Sequence, residues 1–288
     1  MLWTDLREEE FYEAIEETKG LCVMPVGCLE MHGQHLPVAT DTMKITYALH
    51  EAAKIEPVME FPPFMFGDVQ GHIRWKGAIR LTVELQQELL KQLCSEIARN
   101  GFKKILLLNS HGGNKFMIGN FIRSTLHDKK DYVVTSCSLG AKYGSPYYMM
   151  EVLEKEGREA LYELTDEDIE VIKEFVENKR TYGHAGFGET ALIFGCRPEL
   201  VRMDKADALS GLSTHRADYL YELGLGESTQ FWSVNYPNNY AGDTPYGCNE
   251  RFGKCAMRLL TRAVLKVIRT LKYDENIMKW NEERNRFW

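Results

Sequence analysis

Two short apolar runs constrain this chain more than anything else in it: Leu21 to Val26, held between Gly20 and Gly27, and Ile105 to Leu108, a few residues after Gly101. Each is too short to be a helix and lacks the polar alternation of a half-wet strand. Both therefore read as strands buried on two faces, the habit of parallel sheets. Helical periodicity fills the intervals. Leu6, Phe11, Ala14 and Ile15 predict an amphipathic helix ending near Lys19-Gly20, and residues 42–55 predict a second. Residues 57–66 are extended and proline-rich. Val83, Leu85, Leu89, Leu90, Leu93 and Ile97 mark a strongly amphipathic helix closed by Asn100-Gly101. A further helix is predicted over 117–126 and a strand over 132–136. Strand and helix thus alternate, which is the signature of a mostly parallel sheet with covering helices.

The second half is less regular. A helix is predicted over 166–180, another from Glu189 to Phe194, a long structured loop over 224–250, and an amphipathic helix over 252–271. No repeat, low-complexity tract or linker interrupts the 288 residues, so one domain spanning 1–288 is expected. The tail over 273–288 carries Tyr273, Trp280, Phe287 and Trp288, which fits either an oligomer contact or a helical cap on the same subunit.

Composition excludes more than it proposes. Lys and Arg total 35 against 42 Asp and Glu, a net charge of −7, so the basic footprint of a nucleic-acid or anionic-membrane binder is missing. The seven cysteines (22, 28, 94, 137, 196, 248 and 255) form no CxxC pair, which suggests neither a disulfide framework nor a closed cysteine zinc site. The N-terminus is acidic where a signal peptide would be basic, and no stretch approaches the roughly 20 apolar residues of a membrane span. A cytoplasmic location is expected.

Three polar clusters carry the chemistry. The first, Gly27-Cys28-Leu29-Glu30-Met31-His32-Gly33-Gln34-His35, follows the first buried strand, with Asp41 opening the next helix. Ligands in open α/β sheets gather beyond the carboxyl ends of strands. In an extended segment Glu30 and His32 project to one side, able to reach one site or two adjacent metals. The second, Asn109-Ser110-His111-Gly112-Gly113-Asn114, follows the other buried strand. Its glycines permit close backbone approach to a ligand, or simply make a tight turn. The third, Tyr182-Gly183-His184-Ala185-Gly186-Phe187-Gly188-Glu189, adds an imidazole and a carboxylate before another helix. Carboxylate and imidazole ligands together suit zinc, manganese or iron.

The segments VGCLEMHGQHLPVATD, NSHGGN and GHAGFGET resemble, in order and separation, the three hallmark motifs of the creatininase (creatinine amidohydrolase) family. The segment Ala241-Gly242-Asp243-Thr244-Pro245 is similar to that family's Gly-Asp-Pro segment, and together the matches span residues 20–260. The resemblance implies a three-layer α/β/α fold, two divalent ions per chain (zinc, manganese or iron), a small-molecule substrate and a homo-oligomer, commonly a hexamer. It makes Glu30 and His111 ligands of one metal and His32 a ligand of the other, with Asp41 bridging and His184 as acid/base. The family's remaining carboxylate falls at Gly113, which has no side chain to offer, and Glu189 is the candidate replacement. Gln34, His35, His72, Tyr182, Gly112 and Gly113 are candidates for binding substrate, with Asp68, Trp75 and Trp232 as further wall candidates. The implied reaction is hydrolysis of a small cyclic amide or formamide. Ring opening of a keto-inositol on the same metals is the alternative, and a non-catalytic metal- or nucleotide-binding protein is a third. Against nucleotide binding, no GxGxxG or GxxxxGK[ST] turn follows a predicted strand.

Overall fold

The computed structural model describes residues 1–69, 74–226 and 229–287. In chain order the elements are α1 (Glu10–Glu17), β1 (Leu21–Val26), α2 (Thr40–Ile55), β2 (Met59–Glu60), α3 (Val83–Arg99), β3 (Lys104–Asn109), α4 (Asn114–Ser124), β4 (Val133–Ser138), α5 (Pro146–Glu156), α6 (Asp166–Glu177), α7 (Phe187–Cys196), α8 (Asp218–Glu222), α9 (Thr229–Asn235), α10 (Glu250–Tyr273) and α11 (Asn276–Arg286). The four strands pair in parallel in the order β2-β1-β3-β4.

Side chains alternate across this sheet and feed two cores. Leu21 and Val23 of β1, with Leu106 and Leu108 of β3, face α2, α5, α6, α7 and α10. Cys22, Met24 and Val26, with Ile105 and Leu107, face α1, α3 and α4. A strand buried on both sides must be apolar at every position, which is why the two founding runs show no polar alternation. The result is the expected three-layer α/β/α arrangement. No described helix is long and apolar enough to cross a membrane.

The strand order also places the site. From β1 the chain crosses to β2 on one side, and from β3 it crosses to β4 on the other. The carboxyl ends of β1 and β3, in register from Leu21 opposite Lys104 to Val26 opposite Asn109, therefore flank a crevice where the winding reverses. Such crevices are where this class of sheet binds ligands. Gly27 brings the walls together: a Cβ there would lie 2.6 Å from the Thr42 backbone nitrogen and 2.7 Å from its Cα. Gly27→Ala is accordingly expected to push β1 and α2 apart and cost roughly 1–3 kcal/mol, the usual range for overpacking. Thermal unfolding checks this, and an unchanged Tm would contradict so close an approach.

One expectation needs correction. The 224–250 segment is not wholly loop, because Thr229–Asn235 forms α9, a helix of seven residues and too short to show two turns of periodicity. The aromatic tail forms α11, which rests on its own chain: Asn281 and Asn285 donate to the Lys130 carbonyl and Arg284 to that of Leu126.

Candidate metal centre

The three predicted clusters meet. Glu30 and His32 come from the segment after β1, Asp41 from the first turn of α2, His111 from the turn after β3, His184 from the turn before α7, and Glu189 from the first turn of α7. Their ligand atoms form three overlapping groups, each within 4.8 Å: Cys28, Glu30, Asp41 and His111; Glu30, His32 and His184; His32, Asp41 and Glu189. Asp41 Oδ2 is the shared atom, 3.0 Å from His111 Nδ1 and 3.3 Å from His32 Nε2. Glu30 Oε1 lies 3.0 Å from His111 Nδ1, and Glu189 Oε2 lies 3.5 Å from His32 Nε2.

Backbone carbonyls aim the imidazoles. A carbonyl only accepts, so the ring nitrogen facing it must carry the proton and the other nitrogen turns its lone pair inward. His111 Nε2 donates to the Asp68 carbonyl at 2.8 Å, His32 Nδ1 to that of Glu30 at 3.2 Å, and His184 Nε2 to that of Met31 at 2.8 Å. Each leaves the opposite nitrogen facing the cluster. Anchoring of this kind is the habit of metal-ligating histidines. His32 Nε2 is fully buried and has no hydrogen-bond partner, so a divalent cation among these carboxylates answers an otherwise costly orphan.

The Asp68 carbonyl also explains the bare Gly113. A Cβ at that position would sit 2.6 Å from the Asp68 oxygen and against the His111 ring, so any side chain would break the bond that orients His111. Glu189 occupies the opposite wall of the group containing His32 and Asp41. The turn that delivers it is tightly held. Ala185 takes a left-handed φ of 60° and its N–H donates to Glu189 Oε2 at 2.7 Å. The Ala241–Asp243 segment clamps the same turn through Ala241 N–H to the His184 carbonyl and the Thr181 N–H to Asp243.

Two participants escaped the sequence reading. Lys44, 0% exposed, donates to Asp41 Oδ1 at 2.6 Å and to Glu189 Oε1, gripping the oxygens of both carboxylates that face away from His32. It sits on the buried stripe of α2 with Asp41, Ile45, Ala48, Leu49 and Ala52, and a lysine in that periodic position was the available signal. Cys28, also 0% exposed, lies 3.2 Å from Asp41 Oδ2 and 3.5 Å from Glu30 Oε1. Period-2 alternation puts it on the side of Glu30 and His32.

The substrate candidates scatter. Gln34 is exposed, and His72 lies outside the described residues. His35 is buried with its Nε2 on the Thr190 hydroxyl, and burial pushes its pKa down to about 4. Tyr182 packs on Tyr147 behind the turn. Trp232 meets the His184 ring edge to face at 5.7 Å, while Trp75 packs under the Arg74 guanidinium. Gly112 borders a 310 Å³ cavity with Lys115, Ser138 and Gly140, which reaches the cluster at His111. Side-chain exposure rises from 0% at His32 to 14% at His184, so solvent reaches the centre from the His184 side.

Protons hold the cation-free chain together. Burial opposes charge on Glu30, yet His111 and His184 hold its carboxyl below the ordinary range. Burial is likewise outweighed at Asp41 and Glu189, both held low chiefly by Lys44 and His32. His32 is raised to about 9 against its burial by Glu189 and Asp41, and His111 is raised in the same sense by Cys28 and Glu30. His184 is lowered by burial and by the charge on His32. An imidazole raised on folding stabilises the fold below its unfolded value of 6.5 and loses that contribution as pH climbs through about 9. Metal-free protein is therefore expected to show a falling Tm between pH 6.5 and about 9 in calorimetry with a chelator present. A flat Tm across that window would contradict a protonated His32.

Residues 4–268 match the Creatininase family, described as creatinine amidohydrolase. The chain is 25% identical over 206 residues to the creatinine amidohydrolase of Pseudomonas putida, covering 67% of this chain and 71% of that one. It is 31% identical over 114 residues to the mycofactocin precursor peptide peptidase of Mycobacterium tuberculosis, covering 35% of this chain and 43% of that one. Among solved structures, a creatininase described as the manganese form superposes with a TM-score of 0.66 at 16% identity, covering 95% of this chain and 99% of that one. A mutant creatininase of Zn-Zn type gives 0.65 at 15% identity, covering 95% and 98%. With the family match running almost end to end, the chain belongs to the creatininase family, whose members are metal-dependent hydrolases, and is an enzyme of that class.

Proposed function

We propose that this chain hydrolyses the C–N bond of a small amide at a centre of two divalent ions, one held by Glu30, Asp41 and His111 and the other by His32, Asp41 and Glu189. The observation that carries this is the single oxygen Asp41 Oδ2, common to both groups and lying within 3.3 Å of an inward-facing nitrogen in each. Zinc and manganese are the metals named for similar structures. Bound there, two such ions supply Lewis acidity for a substrate carbonyl and acidify a water molecule.

The chain's own residues supply the rest. Lys44 fixes the two carboxylates so that their other oxygens point at His32. His184, its Nε2 committed to Met31, presents Nδ1 to the open side of the centre, 3.7 Å from Glu30 Oε1. Its lowered pKa keeps it neutral at pH 7, able to take a proton at Nδ1 and return it to the departing nitrogen. Trp232 holds the ring from the side. His184→Ala is expected to lower kcat by about 10²–10⁴-fold, the range for a lost acid/base group, while metal content stays unchanged.

The substrate is tested by supplying the metal-loaded protein with creatinine, formamides, short peptide amides and keto-inositols. Release of amine or formate from one of the nitrogen compounds supports the amide reading. Ring opening of a keto-inositol alone overturns it in favour of C–C cleavage. The reading also includes a closed homo-oligomer, which sedimentation would contradict by showing a monomer at working concentration.

A further inference from the structure

We propose that Cys28 is a sulfur ligand of the first metal position, completing a four-residue set with Glu30, Asp41 and His111 and making that position selective for zinc over manganese. The inference rests on the metal-centre reading above and goes beyond it, because neither the resemblance nor the ligand sets proposed above include the cysteine.

Geometry carries the argument. Around a tetrahedral zinc with bonds of about 2.0–2.3 Å, neighbouring ligand atoms stand about 3.3–3.7 Å apart. Cys28 Sγ lies 3.2 Å from Asp41 Oδ2 and 3.5 Å from Glu30 Oε1, and His111 Nδ1 lies 3.0 Å from each of those oxygens. All four atoms fall within 4.8 Å of one another, so one ion placed among them would meet sulfur, nitrogen and two oxygens at once. In the cation-free chain the thiol donates toward both oxygens, and a bound ion would stand where that proton stands. The backbone enforces the placement: Cys28, Glu30 and His32 project to one side, and the Cys28 carbonyl accepts from the Thr42 hydroxyl, tying the segment to α2.

The chemistry follows from ligand softness. A thiolate favours zinc, whereas carboxylate oxygen suits manganese as well. On binding, the thiol proton passes to solvent and the sulfur lone pair to the ion. The second position, with His32, Asp41 and Glu189, has no sulfur and, with three residues, keeps the open place a catalytic ion would need. The two positions therefore differ in kind, and a protein offered both metals is expected to take zinc at the first. The other six cysteines belong to none of the three ligand groups, so a sulfur signal would report Cys28.

The test is cobalt(II) titration of the chelator-stripped full chain. A sulfur-to-cobalt charge-transfer band in the near ultraviolet is expected to rise with the first equivalent and then stop, while ligand-field absorption continues through the second. Cys28→Ser should lack the band, and Cys28→Ala serves if the serine variant folds poorly by circular dichroism. Competition with zinc and with manganese alone should show zinc affinity falling at least about tenfold in the variant, with manganese affinity nearly unchanged. Two cobalt ions bound without a sulfur band, or a variant with wild-type zinc affinity, would overturn the cysteine ligand and leave the two-metal centre standing. A wild-type chain that binds no cobalt would overturn both.

Discussion

Asp41→Asn is expected to empty both metal positions at once. Lys44 donates to Oδ1 of this side chain, so an asparagine must turn its amide oxygen toward the ammonium. Its NH₂ then points into the cluster, where a cation, or a protonated His32 or His111, requires a lone pair. No rotation repairs this, because the opposite orientation sets NH₂ against the ammonium of Lys44. Residues that only orient metal ligands are worth 10–100-fold in affinity, so loss of a shared ligand should cost more than about 100-fold at each position. Glu30→Gln and His111→Ala should lose the first ion only, and Glu189→Gln the second only. Elemental analysis after dialysis separates these patterns. An Asp41→Asn protein that keeps two ions would remove Asp41 from the centre of the account.

Lys44→Met should produce the largest change in stability, and chiefly in the metal-free protein. Methionine nearly preserves the volume but leaves Asp41 and Glu189 buried together without the cation that both grip. Breaking a buried ion pair by removing one partner costs about 3–5 kcal/mol. At roughly 2–4 °C per kcal/mol for a large domain, the metal-free Tm should fall by about 6–20 °C. Two divalent ions neutralise the same carboxylates, so the loaded protein should lose much less. Equal losses in both states would mean that Lys44 serves as packing alone. The pair of measurements thus separates a charge role from a volume role.

The layered fold was legible because burial on both faces leaves an unmistakable mark on a strand: β1, and Ile105 to Leu108 within β3, are apolar without alternation. The cluster was legible because each polar motif directly follows such a strand or opens a helix, and the switch in winding gathers those ends. What escaped has physical reasons. Lysines usually keep their ammonium in water, so nothing singled out Lys44 except its place on the stripe that runs from Asp41 to Ala52. Cys28 was discounted because cysteine metal sites were sought as pairs, whereas this thiol draws its significance from Glu30 beside it, a carboxylate brought from α2 and an imidazole from the turn after β3. His35 and Tyr182 looked like pocket residues because they neighbour the motifs in sequence. Thr190 and Tyr147, remote in sequence, take them into the walls instead. Gly113 shows the converse. The missing side chain is a requirement of the Asp68 carbonyl, and Glu189, the carboxylate proposed in its place, stands on the far wall on α7.

Stoichiometric reconstitution tests most directly whether two ions share Asp41. Protein stripped by chelation should neither hold metal nor hydrolyse the amide identified from the substrate panel, and activity should return in proportion to added zinc or manganese until two equivalents per chain are bound. Full hydrolysis by the stripped protein, or saturation of both binding and activity at one equivalent, would contradict that sharing.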